Sequence, residues 1–412
     1  MVVTACLLKE KKKKNTYPGM YKFLTELFLA ASSHVPGMDS TRGFSLTKIL
    51  LVALLMLLCA MAQASGQTLD PYYYGGTCPM AESIVREVMQ VEVARDPLVA
   101  AQLLRLHFHD CFVLGCDASV LLDDGGGVVS EKGAVANAGS LRGFDVIDRA
   151  KALLEVACPL TVSCADVIAI AARDAVLLVS FLAGLIQLLM ILGFGDFVED
   201  IEARRFTMFC YRGGPNWEVH LGRRDSLKAS LSEANQMIPA PNFTLQMLIP
   251  NFESHGLNII DLVALSGSHT MGRARCLSFR SRIYGQQVDE QPPDYYRRET
   301  VFRRILRSIC PTSGRDAALI PLDTQTPAWF DNRYFHNLLR GEGLLESDDA
   351  LVSEDDDGAV RRLVHAYAAD PELFFRDFVR SIVKMGSIGV LTGDQGEVRR
   401  NCRRPNYAQP GR

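Results

Sequence analysis

Tryptophan is almost absent from this chain, with two in 412 residues, Trp217 and Trp329. Neither sign of charge is in excess: 44 lysines and arginines face 47 aspartates and glutamates, a net charge of −3 with histidine neutral. That balance leaves no basic footprint, so nucleic acid is not expected as a partner. Strand signals are few and short, and no internal repeat is visible, which excludes solenoids, propellers and sheet-rich folds. With 22% charged and 48% hydrophobic residues, disorder is excluded as well, and a packed core is expected.

Cysteine, by contrast, is abundant. Eleven is many for a reducing compartment and points to an oxidising one. The number is odd, so at least one thiol is left over or removed by processing. The N-terminal region agrees with export. Met38 opens a stretch carrying Arg42 and Lys48, the apolar run Ile49 to Met61 comes next, and Ala62-Gln63-Ala64 is a small-x-small cleavage site. This order reads as a signal peptide over 38–64, with the mature domain over 65–412. The run is too short to span a bilayer comfortably. Residues 1–37, with the lysine run Lys11 to Lys14, read as an extension upstream of the true start.

Helical periodicity dominates the rest. Helices are predicted over 81–95, 97–110, 144–157, 163–178, 244–255, 259–265, 331–339, 357–370 and 371–385. The pattern breaks once. Between Asp174 and Asp196 no residue is charged, and the run Phe181 to Leu192 is long enough to cross a membrane. A buried core helix is the alternative, although few soluble helices are apolar on every face.

The strongest local signal is Leu104-Arg-Leu-His-Phe-His-Asp-Cys-Phe-Val-Leu-Gly-Cys-Asp-Ala-Ser119. Arg105 and His109 stand four apart on a predicted helix and share a face. A neutral imidazole beside a guanidinium suits peroxide cleavage: the base takes a proton and the cation stabilises charge on the departing oxygen. An isolated pair at this spacing carries little information, but the ten residues after His109 add more. Asp110, Asp117 and Ser119 offer side-chain oxygens, and Val113 and Gly115 can offer carbonyls. Such alternating donors suit a hard cation such as calcium. Cys111 and Cys116 are near enough to staple that loop.

This segment resembles the distal motif of class III plant peroxidases, the secretory, horseradish-type haem enzymes. Further blocks run in the same order: Gln67 to Pro79, Glu131-Lys132, Asn137, Val162 to Asp166, Leu221 to Ser226, Pro239-Ala-Pro241, Asp261 to Thr270, Thr326 to Asn332, and Leu391 to Cys402. The resemblance implies a mostly α, two-domain helical fold around one haem b, with very little β. It implies Arg105 and His109 as the distal acid–base pair, Phe108 shaping the pocket, and Asn137 holding the His109 tautomer with help from Glu131. His269 would be the axial iron ligand and Asp348 would accept its second N–H. Pro239 would border the substrate channel. Two calcium ions are implied. The distal one would use Asp110, Val113, Gly115, Asp117, Ser119 and, through water, Glu131; the proximal one would use Thr270, Asp323, Thr326, Trp329 and Asp331. The implied disulfides are Cys78–Cys158, Cys111–Cys116, Cys164–Cys402 and Cys276–Cys310. The implied activity is reduction of hydrogen peroxide with oxidation of small phenols, by a secreted, monomeric protein of the cell wall.

Residues 180–212 have no counterpart in such enzymes, hold the apolar run and Cys210, and read as a translated intron or insert. Membrane association is expected only if the 175–195 run inserts; the product would then be tethered or catalytically silent. His107 lies on the other side of the helix from His109 and reads as packing. Val135, Asn242 and Leu277-Ser278 stand where the best-known relatives carry aromatic residues, which leaves the preferred phenol open.

Overall fold

The computed structural model describes residues 69–191, 214–285, 293–355 and 358–408, except for the side chains of 181–191, 293–299 and 408. The chain divides into residues 1–65 and 66–412. The expected upstream extension and signal peptide lie outside the described residues.

Helices make up nearly all of the second unit. In chain order they are α1 Ala81–Arg95, α2 Val99–Cys111, α3 Phe144–Ala157, α4 Cys164–Ile191, α5 Leu231–Met237, α6 Leu245–Ser254, α7 Ile259–Ser266, α8 Cys276–Tyr284, α9 Pro293–Ile309, α10 Arg333–Leu339, α11 Glu346–Ser353, α12 Ala359–Ala369 and α13 Pro371–Met385. The described sheet is a two-stranded antiparallel pair, β1 Arg273–Arg275 with β2 Leu319–Pro321. The mostly α architecture expected from the sequence is the one observed.

Local chemistry sets several of these boundaries. Asp370 accepts from the amides of Glu372 and Leu373, and Pro371 starts α13 at a position where its missing N–H costs nothing. Asn258 caps α7 in a reciprocal box with Asp261. At the start of α4, buried Asp225 accepts from the amides of Cys164 and Ala165 and also from that of Arg399. A carboxylate is favoured at that helix end, and here it also ties the C-terminal segment to α4. The disulfide Cys164–Cys402 fastens the same junction.

One dominant core joins α1, α2, α3 and α4 to α6, α7, α10, α12 and α13. Each large apolar side chain fully buried there, such as Phe335, Phe374 and Phe378, contributes roughly 1.5–3 kcal/mol. A smaller core packs α8, the C-terminal half of α9 and β2 around the Cys276–Cys310 disulfide. The other described disulfides are Cys78–Cys158 and Cys111–Cys116.

The helix predicted over 163–178 does not stop there; α4 continues to Ile191. Continuation is a matter of composition, because no glycine, proline or cap stands directly after Leu178. Among the described residues no helix is long and apolar enough to cross a membrane. The side chains of the 181–192 run, and all of 192–213, lie outside the described residues.

Candidate active site

α2 carries the catalytic candidates. Arg105 Nε donates to His109 Nε2 at 3.1 Å, the contact that four-residue helical spacing allows. Arg105 Nη2 donates to the Ala136 carbonyl at 2.7 Å and to Ser140 Oγ at 3.1 Å, which fixes the guanidinium beside the ring. On the other side, His109 Nδ1 lies 2.5 Å from Asn137 Oδ1. Asn137 Nδ2 donates to the Glu131 carbonyl at 2.9 Å, so its oxygen is the end turned to the histidine. Nδ1 must then carry the proton, and Nε2 is the basic nitrogen. Burial, followed by the Arg105 charge, holds the imidazole well below its ordinary pKa, with Asn137 opposing. Burial also lowers Arg105 to about 10, with Arg275 and Arg142 adding to the shift, and the group remains a cation at neutral pH. Phe108 stacks at 4.0 Å between ring centres on Phe112 and lies edge-on to His109.

His269 sits in a 3₁₀ turn, Gly267–Thr270, directly after α7, and α2 packs against that turn. The approach is close. A Cβ on Gly267 would stand 2.4 Å from the Phe374 ring, and one on Gly272 would stand 3.0 Å from Ala101 of α2. His269 Nδ1 is 2.8 Å from Asp348 Oδ1, which also accepts from the Tyr334 hydroxyl at 2.9 Å; Asp348 Oδ2 accepts from the Leu345 amide. Asp348 is buried, whereas the His269 side chain is 37% exposed. No described group hydrogen-bonds Nε2, so a half-open imidazole oriented by a buried carboxylate presents one free nitrogen. That is the arrangement of a metal-ligating histidine. The Pro239–Pro241 segment adjoins it, since the Ser347 amide donates to the Pro241 carbonyl.

Two clusters of buried acids flank the pair. Behind α2, the Cys111–Cys116 disulfide closes the loop that holds Val113 and Gly115. Gly115 has φ +116°, and a Cβ there would lie 2.5 Å from the Gly389 carbonyl, so only glycine fits. Asp110, Asp117, Ser119 and Glu131 are all buried. Asp110 Oδ1 and Glu131 Oε2 are enclosed with no hydrogen-bond partner. Burial raises Asp110 far above the carboxylate range, lifts Asp117 to about 6 and lifts Glu131 to about 8. Three buried acids, two of them with an orphaned oxygen, fit a hard cation.

The second cluster comes directly after His269. Thr270 Oγ1 donates to Asp331 Oδ1 at 3.0 Å, and Thr326 Oγ1 reaches both Asp323 and Asp331. Asp331 Oδ2 is buried and unpartnered, and burial beside Asp323 raises the group to about 7. The Trp329 amide donates to the Thr326 carbonyl, so the Trp329 backbone belongs to the same turn. This donor set likewise fits a hard cation.

Sequence reasoning did not name Ser140, the Ala136 carbonyl or Tyr334. Ala136 and Ser140 sit one and three residues from Asn137, but their partner, Arg105, is visible only once the 131–140 loop folds over α2. His107 is buried with neither nitrogen partnered, and burial and the Arg223 charge take it down to about 3, consistent with a neutral packed ring. His107 also comes close to Cys111 and Cys116, whose sulfurs are bonded to each other and do not serve as ligands.

The sequence model of the family described as Peroxidase matches residues 85–370. Among curated proteins, Peroxidase 20 of Arabidopsis thaliana is 54% identical over 339 residues, 82% of this chain and 91% of that protein. Peroxidase 9 and Peroxidase 72 of the same plant are 48% and 45% identical, over 81% and 85% of this chain and 86% and 94% of their own lengths.

Proposed function

The chain belongs to the peroxidase family, on the class III plant branch its motifs resemble, and from that premise we propose how its own residues carry the activity. It is an enzyme that uses peroxide as oxidant. In the proposed assignment His109 and His269 would line the pocket of a haem b, small phenols would supply electrons, and the two acid clusters would hold calcium. The protein acts as a secreted monomer of the cell wall; the four described disulfides fit an oxidising compartment.

Haem, when bound, supplies the two-electron chemistry of O–O cleavage. His109 Nε2 removes the proton from the near oxygen of hydrogen peroxide and returns it to the far one, which leaves as water. Arg105 stabilises negative charge on that departing oxygen. Asn137 keeps the base in the tautomer with Nε2 unprotonated. Asp348 orients His269 and strengthens it as a donor. Asp110, directly after His109, couples the catalytic helix to the distal cation loop, so the ion would hold the base in place.

The observation that carries this reading is the chain Glu131 carbonyl–Asn137–His109–Arg105, a neutral base prepared on both nitrogens. The test is the absorption spectrum of the purified chain with a guaiacol–peroxide assay. A Soret band with turnover is expected, and a chain that takes up haem without turnover would overturn it. The alternative is that the 180–212 block leaves the product tethered or silent, and recovery in the carbonate-extracted membrane fraction would support it.

A further inference from the structure

Asp348 is a buried carboxylate held without an arginine or a lysine. Among the described residues neither cation pairs with it, whereas Asp349, next in the chain, pairs with Arg282. Three hydrogen bonds serve instead. Asp348 Oδ2 accepts from the Leu345 amide at 3.2 Å, and Oδ1 faces both His269 Nδ1 at 2.8 Å and the Tyr334 hydroxyl at 2.9 Å. An ionised carboxylate only accepts, so the imidazole N–H and the phenol O–H both donate to Oδ1. One oxygen is thus shared between the candidate axial histidine and a tyrosine.

Tyr334 is built into the site. It is the second residue of α10, it is buried, and α10 packs against the 3₁₀ turn that carries His269. Its ring lies edge-on to the His269 ring, 6.1 Å between centres. Gly343 brings the connection from α10 to α11 close: a Cβ there would stand 2.9 Å from the Leu338 side chain and 3.4 Å from Asp348 Cβ. Packing calls for an aromatic ring at 334, and the hydroxyl goes to Asp348. Two donors on one oxygen divide its charge. What the phenol withdraws from Oδ1 weakens the pull on the His269 N–H, and a histidine whose N–H is pulled less donates less at Nε2. A weaker axial donor favours the reduced metal.

We infer that Tyr334 is a positioning residue for the reaction, one that sets, through Asp348, how strongly His269 donates to the haem iron; the inference rests on the haem peroxidase reading. Asp348 strengthens the histidine, and the Tyr334 hydroxyl moderates that effect. The two helices α10 and α11 thereby act on the turn after α7 through a single oxygen.

The experiment is a reductive titration of the haem-loaded full chain, followed at the Soret band, for the wild type, Tyr334→Phe, Asp348→Asn and the double variant. Tyr334→Phe keeps the ring and removes the hydroxyl. It should shift the balance of ferric and ferrous iron about tenfold towards ferric, about 59 mV to lower potential. Asp348→Asn should move the potential upwards. Tyr334→Phe made in the Asp348→Asn chain should then change the balance by less than about twofold, because the two residues act through one oxygen. If Tyr334→Phe does not take up haem, 3-fluorotyrosine placed at position 334 alone is titrated instead. Its more acidic hydroxyl is the stronger donor, and the potential should rise. An unchanged potential, even with a lower Tm, overturns the inference, and so does a full additive shift in the double variant; either leaves the haem reading intact. A wild-type chain with no Soret band overturns that reading, and the role of Tyr334 falls with it.

Discussion

Because the Asn137 amide donates to the Glu131 carbonyl, its oxygen faces His109 Nδ1, and the imidazole is held neutral with Nε2 unprotonated. Removing that nitrogen by His109→Leu should lower kcat/KM for peroxide roughly 10²–10⁴-fold, the range for a general acid–base group, while a Soret band persists. The direction of the pH effect is set by the depressed His109 pKa. A base works when unprotonated, so activity is retained as pH falls through the ordinary histidine range and is lost only at the lower folded value. Asn137→Asp places a negative charge against Nδ1 and raises the imidazole pKa. The acid limb of kcat/KM against pH should therefore move to higher pH, and a profile superimposable on the wild type would disprove the tautomer argument. Gly267 makes a different residue-scale claim. A Cβ there would meet Phe374 at 2.4 Å and Phe335 at 2.9 Å, and these rings form the floor of the turn that carries His269. Gly267→Ala should cost about 1–3 kcal/mol by overpacking and displace His269, seen as a lower Tm together with a weakened Soret band.

The loop behind α2 and the turn after His269 each hold buried acids with one unpartnered oxygen, Asp110 and Glu131 in the first and Asp331 in the second. Chelation with EGTA should therefore lower the Tm and slow turnover, and added calcium should restore both. An unchanged thermal transition would show that neither cluster needs an ion. The elements differ in how far the sequence disclosed them. α1, α3 and α13 begin and end at the residues expected, because their apolar stripes are regular and stops such as Asp96-Pro97 and Asp370-Pro371 are local. α8 and α9 were not predicted. Their arginines hide the stripe, and both are held by the Cys276–Cys310 bridge and by a small core that only the folded chain assembles. α11 was missed because its capping group, Asp348, reads in sequence as one more acid in an acidic run, while its second role lies with His269. In the site, the Arg105–His109 pair is legible because helical spacing is local. The grip of Ala136 and Ser140 on Arg105 is not, since it depends on a loop 31–35 residues away folding back over α2.

At the scale of the molecule, the two flanks of the 180–212 block meet in the core. Ser180 is buried with its hydroxyl on the Val176 carbonyl, and a Cβ on Gly214 would stand 2.1 Å from that hydroxyl and 3.4 Å from Phe330. The chain thus leaves and re-enters the core at one point, and Trp217, three residues on, is packed edge-on against Phe378 in the same core as the first half of α4. Excision that joins Val179 to Gly213 replaces a long connection by a short one across a gap that is nearly closed, so loop-closure entropy favours the shortened chain. It also removes the apolar run, whose exposure would invite association or membrane insertion. Deletion should raise the yield of soluble protein and leave the haem affinity and peroxide turnover per haem within about twofold of the full chain, because none of Arg105, His109, Asn137, His269 or Asp348 bonds to the block's flanks. Parallel expression of the two chains, read by the Soret-to-protein ratio and by guaiacol turnover, decides the matter. A deleted chain that folds without taking up haem would mean that the block supports the site rather than interrupting it.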